Sequence, residues 1–305
     1  MARQAEKIIV IIGPTGVGKT ALSIELAKQY DGEIISGDSI QIYRDLDIGS
    51  AKATKEEQQG IPHYLIDEYD LKQDYNVKLF QKRCREVIEE IRHKGKQPII
   101  CGGTGLYIKA ALYDYVFTDE EEDREYREFL EERSEDELYA AVSIIDPEAA
   151  KTIHHNNRRR LIRALMMAHN GKKKSEIIRV QEHRPLYDIF MIGLTMPRTH
   201  LYERINQRVD QMMQTGLLDE IKNLAKAPSV WTSPGFKGIG YKEWHGYFLG
   251  KSTLEECVEQ IKKNSRNFAK RQYTWFRNQF DVHWYDVDEP GWKEQLTLDI
   301  QEWRK

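Results

Sequence analysis

Long apolar runs are scarce in this 305-residue chain. A polar start, Met1 to Lys7, is followed by five apolar residues, Ile8 to Ile12. That is short of a signal-peptide core (about 7–15 residues) and of a membrane span (about 18 or more). Neither is expected, and a cytoplasmic location is. Cysteine is sparse: Cys84, Cys101 and Cys257 lie far apart and form no C-x-x-C, so neither a zinc ribbon nor a disulfide framework is supported. With only 9 prolines and 20 glycines the chain is neither collagenous nor low-complexity. A charge excess is also missing. Lys and Arg total 46 and Asp and Glu 49, a balance of −3 that argues, as an average, against a surface coated for nucleic acid or anionic membrane. What is present is 40% hydrophobic residues, enough for a sizeable core. The length exceeds one ordinary core of about 100–200 residues, so one large domain with an insertion, or two domains, is expected.

Ile8-Ile9-Val10-Ile11-Ile12 has the continuous β-branched character of a strand buried on both faces of a parallel sheet. A glycine loop follows, then helical spacing over Val17 to Gln29 and a short strand, Glu33 to Ser36. Asn76 to Lys94 reads as a second helix, with Pro98 to Cys101 as the next strand. Alternating strands and helices predict an α/β fold with crossover connections.

From Asp114 to Glu148 fifteen acidic residues face three arginines, about −12; Lys151 to Arg184 carries ten Lys or Arg against two acids, about +8. Both segments have helical character, and the sheet pattern resumes at Asp188 to Leu194. Residues 115–186 are therefore expected to be a helical insertion in a core built from 1–114 and 187–305. Further along, helices are expected over about Arg198 to Ala225 and Thr253 to Arg277, then a strand over Asp281 to Tyr285 and a terminal helix. Lys262, Arg266, Lys270 and Arg277 share a stripe of the long helix, with six bases and no acid between residues 262 and 277. The stripe reads either as a cationic ridge for RNA phosphates or as an ordinary amphipathic face. The charge is segregated, so the net value is the wrong statistic.

Gly13-Pro14-Thr15-Gly16-Val17-Gly18-Lys19-Thr20 fits G-x-x-x-x-G-K-[ST] between a strand and a helix. Glycines let backbone N–H groups turn inward around an anion, Lys19 adds a point charge, and the Thr20 hydroxyl can ligate Mg²⁺. The loop specifies polyphosphate binding, not ATP hydrolysis, since no apolar strand here ends in a Walker B acid. After the second strand comes Gly37-Asp38-Ser39-Ile40-Gln41, at the carboxyl edge of the sheet. Asp38 can ligate Mg²⁺ or accept a proton from a nucleophile; an Asx-turn or helix cap is the plainer reading. Gly102-Gly103-Thr104-Gly105 follows another strand and either serves the same crevice or is a tight turn. A small-molecule kinase or ATPase and an RNA-binding module with a vestigial phosphate loop are the competing readings.

Taken together, several motifs resemble the tRNA dimethylallyltransferases, also called isopentenyltransferases. They are Gly13 to Thr20, Asp38-Ser39-x-Gln41-x-Tyr43-Arg44, Asp47 to Lys52, Gly102 to Tyr107, Asn156-Asn157-x-x-Arg160-x-x-Arg163, Tyr202-x-Arg204 through Met212, Gly240 to Glu243 and Phe268 to Phe276. The chain departs from the usual pattern at Asn157, Met166 and Lys237-Gly238. The resemblance implies a P-loop NTPase-like, nucleotide-kinase-like parallel sheet with a helical insertion that contacts tRNA. It implies transfer of a dimethylallyl group from dimethylallyl diphosphate to N6 of the adenosine 3′ to the anticodon, with Mg²⁺ as cofactor. By the same resemblance, Asp38 is the base, Thr104 and Lys19 assist, and Gly13 to Thr20 hold the diphosphate.

The tRNA contacts expected are Asp38, Ser39, Ile40, Gln41, Thr104, Tyr126, the segment Arg159-Arg160-Leu161-Ile162-Arg163, the segment Lys237-Gly238-Ile239-Gly240-Tyr241-Lys242, and, from the basic stripe of the late helix, Lys262, Arg266 and Lys270. The expected RNA element is the anticodon stem-loop, because a reacting base must leave its stack. Monomer is the default expectation for the oligomeric state.

Overall fold

The computed structural model describes residues 6–117, 123–180 and 183–305. The chain divides into two compact units, 1–113 with 185–305, and Asp114–Arg184. In the first, six parallel strands, β1 (Lys7–Ile12), β2 (Gly32–Ser36), β3 (His63–Tyr64), β4 (Gln97–Gly102), β5 (Asp188–Thr195) and β6 (His283–Asp286), stand in the order β3-β2-β4-β1-β5-β6. The strand expected at Asp281 begins two residues later.

The five residues Ile8 to Ile12 are fully buried, and strand alternation explains why all must be apolar. Ile8, Val10 and Ile12 face a core built with Phe80, Cys84, Val87, Ile88 and Ile91 of the helix Val77–His93 and with Ile261 and Phe276 of the helix Leu254–Gln279. Ile9 and Ile11 face Leu22 and Leu26 of the helix Lys19–Gln29 and Leu296 and Ile300 of the C-terminal helix Trp292–Arg304. Central β1 has β4 on one side and β5 on the other, so connections diverge there and leave a crevice at the carboxyl ends. The loops after β1, β2 and β4 open at that edge.

The single helix expected over Arg198 to Ala225 is two, Arg198–Gln214 and Leu217–Leu224. Gly216 breaks it at φ +105°, a left-handed backbone that costs glycine little. The break re-aims the second helix, and with it Glu220.

The second unit is helical, with segments Arg124–Glu131, Glu135–Ile145, Pro147–Thr152, Arg158–His169 and Lys174–Val180 around a core of its own that includes Leu138, Val142, Leu161, Ile162 and Leu165. Asn157 caps the helix that carries the arginines, its side chain accepting from Arg160 N at 3.4 Å, and Met166 is buried in this core. Two of the departures from the family pattern therefore have ordinary structural jobs.

Candidate active site

The phosphate loop departs β1 at Gly13 and enters its helix at Lys19, with Gly16 and Gly18 at φ +83° and +106°. Those values turn the intervening amides toward one point, as an anion nest requires. Lys19 Nζ donates to the carbonyls of Gly13 (3.0 Å) and Pro14 (2.8 Å), folded back over its own loop. Burial lowers its pKa to about 8; the Arg208 guanidinium adds to that effect, and Cys101 and Asp38 oppose it.

Asp38 follows β2. Its Oδ1 accepts from Ile40 N at 2.8 Å and Gln41 N at 3.4 Å, so the Asx-turn reading is correct for one oxygen. Oδ2 has no partner among the described residues. Thr104 begins the helix Gly105–Leu112, yet its hydroxyl does not cap it; it accepts from Ser39 N at 3.2 Å and lies 3.5 Å from Ser39 Oγ. The loops after β2 and β4 touch: a Cβ on Gly102 would stand 2.3 Å from the Gly37 carbonyl oxygen.

Two cavities meet at these residues. One, of about 630 Å³, is lined by Gly16, Gly18, Lys19, Thr20, Arg204 and Gln272. The other, of about 450 Å³, is lined by Ser39, Ile40, Thr104, Met212, Lys242 and Arg271. Thr15, Asp38, Ser50, Ala51, Arg208 and Phe268 border both. The cationic phosphate cradle therefore opens on one side of Asp38 and a more apolar chamber on the other.

Several expected site residues are placed differently. Tyr241, expected to contact RNA, is fully buried; its hydroxyl donates to Glu220 and accepts from Ser50 N. Gln41 is occupied within the protein, accepting from Ser36 Oγ at 2.9 Å and donating to Ser50 O at 3.2 Å. Leu161 and Ile162 point into the core of the second unit, whereas Arg159, Arg160 and Arg163 are exposed. Tyr126 stacks on His169 with centroids 4.0 Å apart.

The cationic ridge is interrupted. Lys262, 13% exposed, is neutralised by Asp210 (2.7 Å) and Glu259, and Arg266 donates to Asn206. The helix Arg198–Gln214 packs along that face and brings Asp210 and Asn206 with it. Lys270 remains exposed. Lys237, Gly238, Ile239, Gly240 and Lys242 line the 450 Å³ cavity, with the Lys237 and Lys242 residues exposed.

Sequence reasoning missed Arg208 and Gln272 as site residues. Arg208 donates to Thr15 Oγ1 at 3.1 Å and to Ala51 O at 3.5 Å. Gln272, 4% exposed, accepts from Thr15 N and donates to Gly103 O, both at 3.0 Å, tying the phosphate loop to the loop that carries Thr104. The available signal was a polar residue on the helical stripe Cys257, Ile261, Ala269, Gln272 and Phe276 that otherwise faces the core. Gln272→Leu should strand both backbone groups and cost about 2–3 kcal/mol. Gln272→Glu keeps the acceptor for Thr15 N but sets a buried carboxylate oxygen against Gly103 O, so it should cost at least as much. Urea unfolding of the two variants checks this, and midpoints equal to that of the unsubstituted protein would show that the bridge contributes nothing.

The fold and these loops define a P-loop NTPase-like α/β protein in which the Asp38 carboxylate borders the cavity lined by the glycine loop. A family model described as IPP transferase matches residues 41–279, and the chain belongs to that family of transferases. A protein of Bacillus cytotoxicus named tRNA dimethylallyltransferase is 53% identical over 290 residues, covering 93% of this chain and 92% of the relative. Among solved structures, the tRNA delta(2)-isopentenylpyrophosphate transferase of Staphylococcus epidermidis is 40% identical with a TM-score of 0.73, covering 97% of this chain and 99% of that one. A eukaryotic dimethylallyltransferase acting on tRNA is 33% identical with a TM-score of 0.82, covering 92% of this chain and 74% of that chain.

Proposed function

We propose that this protein is a cytoplasmic tRNA dimethylallyltransferase. It moves a dimethylallyl group from dimethylallyl diphosphate to N6 of the adenosine 3′ to the anticodon and releases diphosphate. The observation that carries the reading is the placement of Asp38 where the phosphate cradle and the second chamber meet. A hydrolase would need a positioned water at the cradle; a transferase needs a second chamber for an acceptor, and one is present. The N6–C1 bond forms as the C1–O bond breaks, the departing electrons stay on the diphosphate oxygen, and Asp38 takes the N6 proton. Lys19, Arg208 and the loop amides stabilise the leaving charge, which lowers the barrier to its departure.

Mg²⁺ fits this arrangement. The Thr20 hydroxyl is a hard oxygen donor lining the cavity of the phosphate loop, and Mg²⁺ ordinarily completes its shell with substrate phosphates and water. Among the described residues no group of three or more His, Cys, Asp or Glu could hold a metal by itself. When bound with the donor, the ion supplies further neutralisation of the diphosphate. In the second unit, burial and the adjacent charges of Arg160 and Arg163 lower the Lys174 pKa, with Asp146 opposing. This concentration of cations supports phosphate contacts with the anticodon stem. No described helix is long and apolar enough to cross a membrane.

The test is incubation with unmodified tRNA, Mg²⁺ and dimethylallyl diphosphate, followed by mass analysis of the digested RNA. One adenosine should gain a five-carbon group. An unmodified digest, together with ATP consumption in a parallel incubation that holds ATP and small hydroxyl acceptors in place of the prenyl donor and tRNA, would favour the kinase reading.

A further inference from the structure

The segment Asp47–Ala51 borders both cavities through Ser50 and Ala51 and has neither strand nor helix to hold it. Two side chains from far along the chain hold it instead. Glu220 Oε2 accepts from the backbone N–H of Asp47 at 3.2 Å and Ile48 at 2.7 Å; Oε1 accepts from Gly49 N at 3.2 Å and from the Tyr241 hydroxyl at 2.8 Å. That hydroxyl accepts in turn from Ser50 N at 3.1 Å. Four successive amides are thus engaged by one carboxylate and one phenol. Such charge-assisted bonds are about twice as strong as neutral ones.

The packing allows little slack. A Cβ on Gly49 would stand 2.6 Å from Cζ of the Tyr241 ring, and one on Gly240 would stand 2.7 Å from the Gly49 carbonyl oxygen. Burial, and then the charge of Glu220, push the Tyr241 pKa upward, so the phenol keeps its proton and continues to donate.

With its amides held, the segment turns its carbonyls to the reaction centre. Ser50 O and Ala51 O accept from Gln41 Nε2 at 3.2 and 3.4 Å, and Ala51 O accepts from Arg208 Nη2 at 3.5 Å. Gln41 N reaches Asp38 Oδ1, and Arg208 reaches the phosphate-loop hydroxyl of Thr15. We propose that Glu220 and Tyr241 are a positioning pair for the acceptor side of the active site. They fix the Asp47–Ala51 segment, and through it Gln41 and the Asp38 loop, without touching substrate, while Arg208 keeps its own tie to Thr15. The proposal rests on the transferase reading above and adds to it two residues outside the phosphate cradle.

Glu220→Gln turns an amide toward backbone donors, and Tyr241→Phe leaves Ser50 N without an acceptor. In each variant the amides of residues 47–50 should exchange with deuterium about tenfold faster or more. The kcat/KM for tRNA should fall about tenfold or more. Binding of inorganic diphosphate, measured by calorimetry, should stay within about twofold of the unsubstituted protein. The double variant should lose much less than the product of the single losses, because both act on one segment. Unchanged exchange at 47–50 in folded variants would overturn the proposal. So would a fall in diphosphate binding that matches the fall in kcat/KM, since that is what a purely structural role produces. If the unsubstituted protein transfers no prenyl group to tRNA, the transferase reading itself fails, and the exchange result still reports on the segment.

Discussion

Asp38→Asn should lower prenyl transfer by about 10²–10⁴-fold while leaving the fold and diphosphate binding intact. Asparagine is the informative substitution because Asp38 does two jobs. Its Oδ1 accepts from Ile40 N and Gln41 N and so shapes the loop after β2. An amide oxygen can still serve that turn, whereas alanine would remove the turn and the base together. What asparagine cannot do is take a proton from N6. Single-turnover transfer with saturating donor and tRNA isolates this step from binding, and thermal melting shows whether the loop survives. An Asp38→Asn enzyme that transfers at the normal rate would leave Asp38 as a turn residue and move the base elsewhere. Asp38→Ala should be at least as inactive and also less stable, by about 1 kcal/mol for the lost turn bonds.

How much of this site could be read from sequence follows from how local each part is. The loop Gly13 to Thr20 is contiguous backbone, so its place between a strand and a helix was legible in the sequence, with the helix starting at Lys19 rather than Val17. Asp38 and Thr104 sit in loops immediately after strands, and the sheet order brings those loops together. Arg208 and Gln272 reach the same point from helices 193 and 257 residues away from Thr15; the core-facing stripe marks Gln272 as a polar residue needing partners, but no local pattern says which partners. Motif segments also hide which way a residue faces. Tyr241 and Leu161 lie inside stretches expected to meet RNA, yet a helix or turn alternates faces, and the large apolar members went inward. The basic stripe of the helix Leu254–Gln279 was misleading for a related reason. A run of like charge predicts a free cationic surface only if no neighbour brings acid to it, and Asp210 does so at Lys262.

Lys19→Met should weaken binding of the prenyl diphosphate by about 30-fold to several thousand-fold, the equivalent of about 2–5 kcal/mol for removing one partner of a desolvated charge pair. The ammonium folded back onto Gly13 O and Pro14 O is already in the loop, so little rearrangement stands between it and the anion. Its lowered pKa, about 8, adds a sign that can be checked. Below pH 8 the free protein carries the charge and binds the dianionic end of the donor without taking up a proton. Above pH 8 the lysine is neutral, so each binding event must capture a proton, and the apparent Kd should rise about tenfold per pH unit. The donor's own terminal phosphate ionises near pH 6 and is constant over this range. Calorimetric titrations between pH 7 and pH 9.5 should therefore show a flat region followed by a steep loss of affinity, with proton uptake appearing only in the second. Lys19→Met should bind weakly and show no such break. A break that persists in Lys19→Met would assign the titration to another group, and a flat profile in the unsubstituted protein would mean that the ammonium stays charged in spite of its burial.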